Sequence, residues 1–154
     1  INTIGKYAFA GCTSLTQIII PSSVNSIGIY AFYKCSSLTQ IKIPSSIISI
    51  ENNVFEGCTS LNNITIPDSV TSFKKGAFSG CSSLSQITIP SSIISIEDNV
   101  FEGCCSLTQI QIPSSVTLFG RNVFKDCTSL VEIRIPSTLN INIFEISYKI
   151  ITRY

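Results

Sequence analysis

Polar and apolar residues alternate along short stretches of this chain and then change spacing. In Leu61-Asn-Asn-Ile64-Thr-Ile66-Pro67, Leu61, Ile64 and Ile66 fall on one side, and Asn63 and Thr65 on the other. Strict alternation predicts a half-buried strand, and β-branched residues suit a pleated surface. Pro67 ends the strand because it has no N–H to give to a ladder. The next stretch, Asp68 to Gly80, holds its apolar residues at Val70, Phe73, Ala77 and Phe78. That spacing fits no single long strand. It predicts a short extended piece near Thr71–Phe73 and a helical or 3₁₀ turn near Ala77–Gly80.

The whole pattern repeats. C-x-x-L-x-x-I-x-I-P occurs six times, starting at Cys12, Cys35, Cys58, Cys81, Cys104 and Cys127, each 23 residues after the last. Pro21, Pro44, Pro67, Pro90, Pro113 and Pro136 keep step and are all the prolines in the chain. So does an aromatic spine of Phe9, Phe32, Phe55, Phe78, Phe101 and Phe124. A fixed period without insertion predicts a solenoid in which each copy is one turn. The strands of successive turns then stack into one parallel sheet. The segments Pro44–Cys58 and Pro90–Cys104 are nearly identical, which points to duplication in blocks of two turns.

The pattern also bounds the domain. Residues 1–11 finish an incomplete turn, and Ile1 takes the place of Val24 and Ile47, so the chain reads as a fragment of a longer protein. After Leu139 the pattern fails: Asn142 stands where Ile or Phe is expected, and Ser147 replaces the spine Phe. Residues 1–139 are therefore read as a single solenoid and 140–154 as a C-terminal capping segment, which a solenoid needs over its last turn. A disordered or foreign end is the other reading of that tail.

Composition narrows the function classes. A net charge of +1 gives no electrostatic reason to expect nucleic acid or an anionic membrane. No apolar run approaches the roughly 20 residues of a membrane helix. Six of the seven cysteines share one repeat position. Equivalent positions stack about 4.8 Å apart with side chains pointing the same way, which suits a ladder of buried thiols better than disulfides. Cys105 replaces the Thr or Ser of other copies and is expected to be exposed. With no histidine and no C-x-x-C pair, neither a metal nor another cofactor is expected.

The motif C-x-S-L-x-x-I-x-I-P-x-S-V-x-x-I-x-x-x-A-F-x-G-C resembles the BspA-like, or Treponema pallidum type, leucine-rich repeats. Cys81-Ser-Ser-Leu-Ser-Gln-Ile-Thr-Ile-Pro-Ser-Ser-Ile93, with Ile96, Val100, Phe101 and Gly103, carries the match, which extends over residues 1–139. The generic leucine-rich pattern ends in Asn, whereas this chain has Ser23, Ser46, Ser69, Ser92, Ser115 and Thr138 there. An asparagine ladder is therefore not expected. The resemblance implies a leucine-rich-repeat coil with a parallel β-sheet on the concave face and short extended or 3₁₀ segments on the return side. It further implies an extracellular or cell-surface setting, and adhesion to host, matrix or cell-surface proteins or to glycans. It supplies no catalytic residues.

Two outward columns then line the concave face. The first is Gln17, Gln40, Asn63, Gln86, Gln109 and Glu132; the second is Ile19, Lys42, Thr65, Thr88, Gln111 and Arg134. They read as a broad polar partner-binding face and also as an amide ladder along the sheet. The face has few aromatic anchors, which favours weak multivalent binding. Tyr7, Tyr30 and Tyr33 form a second candidate patch or a cover between turns. Asn63-Ile64-Thr65 is the one glycosylation sequon, placed mid-strand. Glu56 and Glu102, two turns apart, offer a candidate carboxylate pair, but duplication explains them without catalysis. The reading is a non-enzymatic interaction or adhesion module, with a passive spacer in a longer repeat array as the alternative. Self-association through open repeat ends is a further expectation.

Overall fold

The computed structural model describes residues 2–141 and 150–154. Asn142 and Ser147, where the repeat pattern fails, lie outside the described residues. Short parallel strands recur at two places in each turn. The first series is β2 (Gln17–Ile18), β4 (Gln40–Lys42), β6 (Asn63–Thr65), β9 (Gln109–Gln111), β11 (Glu132–Ile135) and β12 (Ile150–Arg153). The second is β1 (Thr3–Ile4), β3 (Ser26–Ile27), β5 (Ser49–Ile50), β7 (Ser72–Phe73), β8 (Ser95–Ile96) and β10 (Leu118–Phe119). No helix occurs among the described residues.

Register follows the period: Gln40 pairs with Asn63, and Ser72 with Ser95, each 23 residues on. Neither series is one unbroken sheet. The first forms two three-stranded halves, β2-β4-β6 and β12-β11-β9. Gln86–Thr88 fills the place between them without strand pairing. The second series divides between β3 and β5. At the last step the offset changes, because Glu132 pairs with Ile150, only 18 residues later.

The extended piece expected near Thr71–Phe73 is β7. The piece near Ala77–Gly80 is a run of overlapping turns with i→i+3 bonds, from Ser79 N–H to the Gly76 carbonyl at 3.0 Å and Cys81 N–H to Phe78 at 3.1 Å. These are 3₁₀-type bonds, yet no helix propagates. Two residues per turn have positive φ, Gly76 at 63° and Gly80 at 71° here, and each reverses the path. Asn53 and Gly57 do the same one turn earlier. Tyr30 and Lys34 hold these places at 57° and 54°, a conformation that costs a non-glycine residue roughly 1–2 kcal/mol.

The reversal has a use. Alternate N–H groups point along the coil and bond to the next turn. Phe9 N–H reaches the Ala31 carbonyl at 2.8 Å, Phe32 reaches Val54 at 3.0 Å, and Phe55 reaches Ala77 at 2.9 Å. Phe78 and Phe101 continue to Val100 and Val123, both at 3.0 Å. This turn-side ladder runs without a gap where the strand ladders break.

The core is a set of stacked columns. Adjacent spine rings lie 5.3–6.0 Å apart and within 11° of parallel, from Phe9–Phe32 to Phe101–Phe124. Phe73 adds an edge-on contact to Phe78 at 5.3 Å. The cysteines are free, and those at Cys35, Cys58, Cys81, Cys104 and Cys127 are buried. They do more than fill space. Cys58 Sγ donates to the Phe32 carbonyl at 3.1 Å, and Cys81 Sγ to Phe55 at 3.2 Å. The Phe32 carbonyl also accepts the N–H of Cys35 at 3.1 Å, so both lone pairs are used. Where an asparagine ladder would run, serines run instead: Ser69 Oγ donates to the Ile47 carbonyl and Ser92 Oγ to Val70, both at 2.6 Å.

Charged columns on the return side contribute little. Lys74 meets Glu97 and Lys125 meets Glu102, each at 3.1 Å and partly exposed. Such pairs are worth about 0–1 kcal/mol. Asp98 accepts from the backbone N–H of Arg121 at 2.8 Å.

The packing generates three predictions. Phe55 is fully buried between two parallel rings. Phe55→Ala should cost about 3–5 kcal/mol, read from urea unfolding. Burial first, and the neighbouring Cys35 second, push the Cys58 thiol from 9.0 to about 12; burial pushes Cys35 to about 11. A thiol held neutral by the fold stabilises it fully below the unfolded value, and that stability is lost as pH rises through the folded values. Unfolding midpoints should therefore fall between pH 9.0 and about 11–12, with a shallower fall in Cys58→Ala. A thiol reagent should label Cys105 fast and half-buried Cys12 slowly, leaving the five buried thiols for the unfolded chain.

Candidate functional site

Strand geometry presents the two sequence-selected columns together. Side chains alternate across β4, β6 and β9, so Ile41, Ile64 and Ile110 enter the core while their neighbours face outward. Gln17, Ile19, Gln40, Lys42, Asn63, Thr65, Gln86, Thr88, Gln109, Gln111 and Arg134 are all exposed, and Glu132 is half-buried. Ile19 is 92% exposed, an isolated apolar group at the start of the face.

The face divides where its sheet divides. One shallow groove of about 270 Å³ is bordered by Gln17, Ile19, Gln40, Lys42, Asn63 and Thr65. A second, of about 230 Å³, is bordered by Gln86, Thr88, Gln109, Gln111, Glu132 and Arg134. Lys42 and Arg134 thus provide one cation to each half. Neither is in an ion pair among the described residues.

The expected amide ladder does not form. Among the described residues, no hydrogen bond joins Gln17, Gln40, Asn63, Gln86 and Gln109 to one another; in the second column Arg134 donates to Gln111 Oε1 of the preceding turn at 3.5 Å. The strands supply their own ladder through backbone groups, and the exposed amides have water as a competing partner. Their donors and acceptors therefore stay available.

The face also has an aromatic residue that the repeat pattern did not place there. β12 brings Thr152 and Tyr154 beside β11. Thr152 Oγ1 donates to Glu132 Oε1 at 3.4 Å. The Tyr154 hydroxyl donates to the Ile112 carbonyl at 2.6 Å, and the Arg134 guanidinium lies 5.8 Å from the centre of its ring. Tyr154 follows the irregular 18-residue step, so no column of the repeat could have assigned it.

The other candidates resolve differently. Tyr7 and Tyr30 stack at 4.9 Å, Tyr33 packs edge-on against Tyr30, and Lys6 and Lys34 rest on the outer rings. They cover the joint between two turns, although Tyr7 stays 48% exposed. Partial burial, then Glu56, Tyr7 and Tyr33, raises the Tyr30 hydroxyl. Glu56 accepts from Asn53 and Glu102 from Asn99, and Glu102 also holds Lys125, raising its ammonium. Both carboxylates thus close local turns. Asn63 and Thr65 of the sequon are exposed on the face. Among the described residues no helix is long and apolar enough to cross a membrane, and no cluster of His, Cys, Asp and Glu is arranged to hold a metal ion.

Comparison with known proteins places this geometry. The chain is similar to a T. pallidum leucine-rich repeat protein of known structure, with 33% identity and a TM-score of 0.78 over 86% of this chain and 62% of that one. It is similar to a leucine-rich cell surface protein from Faecalibacterium prausnitzii, with 30% identity and a TM-score of 0.73 over 99% of this chain and 51% of that one. A Bacteroides ovatus leucine-rich repeat protein, 22% identical with a TM-score of 0.52 over 100% of this chain and 64% of that one, shares the fold. The chain thus spans less than two thirds of the length of each. No curated protein matches. A model of the BspA type leucine rich repeat region matches in six copies over residues 1–104 and 49–151. The repeat read from the sequence and the coil seen in the structure agree with it: the chain belongs to the BspA-type leucine-rich repeat family.

Proposed function

We propose that the chain is a non-enzymatic interaction module, displayed at a cell surface, that binds a protein partner through its concave face. The observation that carries this reading is the availability of that face. Its amides and hydroxyls stand on a coil whose turns are hydrogen-bonded to one another, and they are exposed and unbonded among themselves. A preordered surface binds without the entropy cost of ordering loops first. The family supports a repeat module of this kind, and the F. prausnitzii relative is itself described as a cell surface protein. Residues 140–154 act in this reading as the cover of the last turn, with β12 adding one strand to the sheet.

The test is binding of the chain to immobilised matrix and cell-surface proteins, beside a variant with Gln40, Gln86, Gln109 and Lys42 changed to Ser or Ala. These side chains are exposed, so each change should shift stability by no more than about 0.5 kcal/mol and the variant should stay folded. Binding by the wild type that drops about tenfold or more in the folded variant is expected. Equal binding by both would move the site to the return side. Binding to neither, or to glycans alone, would sink the reading and favour a spacer or a lectin.

A further inference from the structure

Arg134 is the most prepared group on the concave face. Tyr154 is tied at three points: its hydroxyl to the Ile112 carbonyl at 2.6 Å, its N–H to Ile135 at 3.1 Å, and its carbonyl to the Ser137 N–H at 2.8 Å. The guanidinium rests 5.8 Å from the centre of that fixed ring, and one nitrogen meets Gln111 Oε1 at 3.5 Å. A guanidinium has five N–H donors in a planar fork that matches a carboxylate. One weak bond engages little of it. Glu132, the one acid on the face, sits two residues away on the same strand, yet its bond is from Thr152 and it makes no ion pair with Arg134 among the described residues. The cation is held in place and left unneutralised.

We propose that Arg134 anchors a carboxylate side chain of an extended polypeptide lying in this half of the groove, with Gln86, Gln109 and Thr88 pairing the peptide backbone beside it. The proposal rests on the concave face being the binding face and names the chemistry of its partner. Three observations select this occupant. Apart from Glu132, which accepts from Thr152, the polar lining of the groove around Arg134 is the neutral amides of Gln86, Gln109 and Gln111 and the Thr88 hydroxyl, which match the N–H and C=O groups of a peptide. The whole face carries Lys42 and Arg134 against Glu132, a net of +1, too sparse a field for a dense polyanion such as nucleic acid or a sulfated glycan. The Arg134 guanidinium, 5.8 Å from the centre of the Tyr154 ring, competes with a sugar ring for one face of it.

The test is selection of short random peptides displayed on phage against the whole chain and, in parallel, against Arg134→Gln and Gln109→Ala. Thermal unfolding of each variant confirms the fold. The expected result is a wild-type pool enriched in Asp or Glu at a fixed position, with individual peptides losing about tenfold or more in affinity on Arg134→Gln and on changing that acid to its amide. Added salt should weaken the wild-type complex and hardly affect the residual binding of Arg134→Gln. Peptides selected without acidic enrichment, or binding Arg134→Gln equally well while failing on Gln109→Ala, would keep the binding face and overturn the anchor. Peptides indifferent to both variants, or none selected, would overturn the anchor and the binding face together. Polygalacturonate bound in an Arg134-dependent way with no acidic peptide enriched would assign the site to an acidic glycan and overturn the proposal as well.

Discussion

The structure depends on the phenylalanine carbonyl at the centre of each turn. The Phe32 carbonyl accepts one bond from Cys35 within its own turn and another from the Cys58 thiol of the next. The N–H of the same residue donates forward to Val54. Each spine residue therefore closes its turn and sets the next one above it, while its ring stacks on its neighbours. These bonds are buried, so a missing partner costs more than an intact one contributes. That asymmetry fixes the length of the Phe-to-Cys segment, because an extra residue between Phe32 and Cys35 would leave these polar groups unpaired. It also explains how a coil with two interrupted strand ladders stays regular: the turn-side ladder continues from Phe9 to Val123 past both interruptions.

Much of this was readable before the structure. Leu61, Ile64, Ile66, Phe78 and Cys81 occupy positions whose period alone identifies a stacked coil, and their burial agrees. The outward columns followed, since a strand with one buried face exposes the alternate residues. What escaped the sequence lies in backbone conformation and hydrogen bonding. Positive φ at Gly76 and Gly80 is suggested by glycine, but the same conformation at Tyr30 and Lys34 is imposed by the neighbouring turns and has no local signature. Sequence composition cannot separate a thiol that fills space from one that donates to a carbonyl. The amide ladder failed for a related reason: similar amides in register can bond one another, but exposed ones also have water.

The end of the chain shows where a repeat-based argument loses reach. A period assigns residues only while it holds, and the step from β11 to β12 breaks it. Tyr154 could be located on the concave face only through that irregular step. It also changes the character of the face, which the columns alone describe as polar and poor in anchors. Arg and Tyr are the residue types that dominate binding energy at interfaces, and here they are adjacent.

Framework and face are energetically separate in this coil, and that separation bears on function. Phe, Leu, Cys and Ser columns hold the register through buried contacts and bonds, so substitutions there act on stability. Gln17, Gln40, Asn63, Gln86 and Gln109 take no part in those ladders. Exposed side chains without structural partners change stability by only about 0.5 kcal/mol when replaced. The concave columns can therefore change from Ile19 to Lys42 to Arg134 along the coil while the core columns stay apolar. A scaffold of this kind gives each turn an independent pair of outward residues at about 4.8 Å intervals. In the proposed binding mode, specificity would reside in the order of those pairs, and an extended partner crossing several turns would read them in sequence.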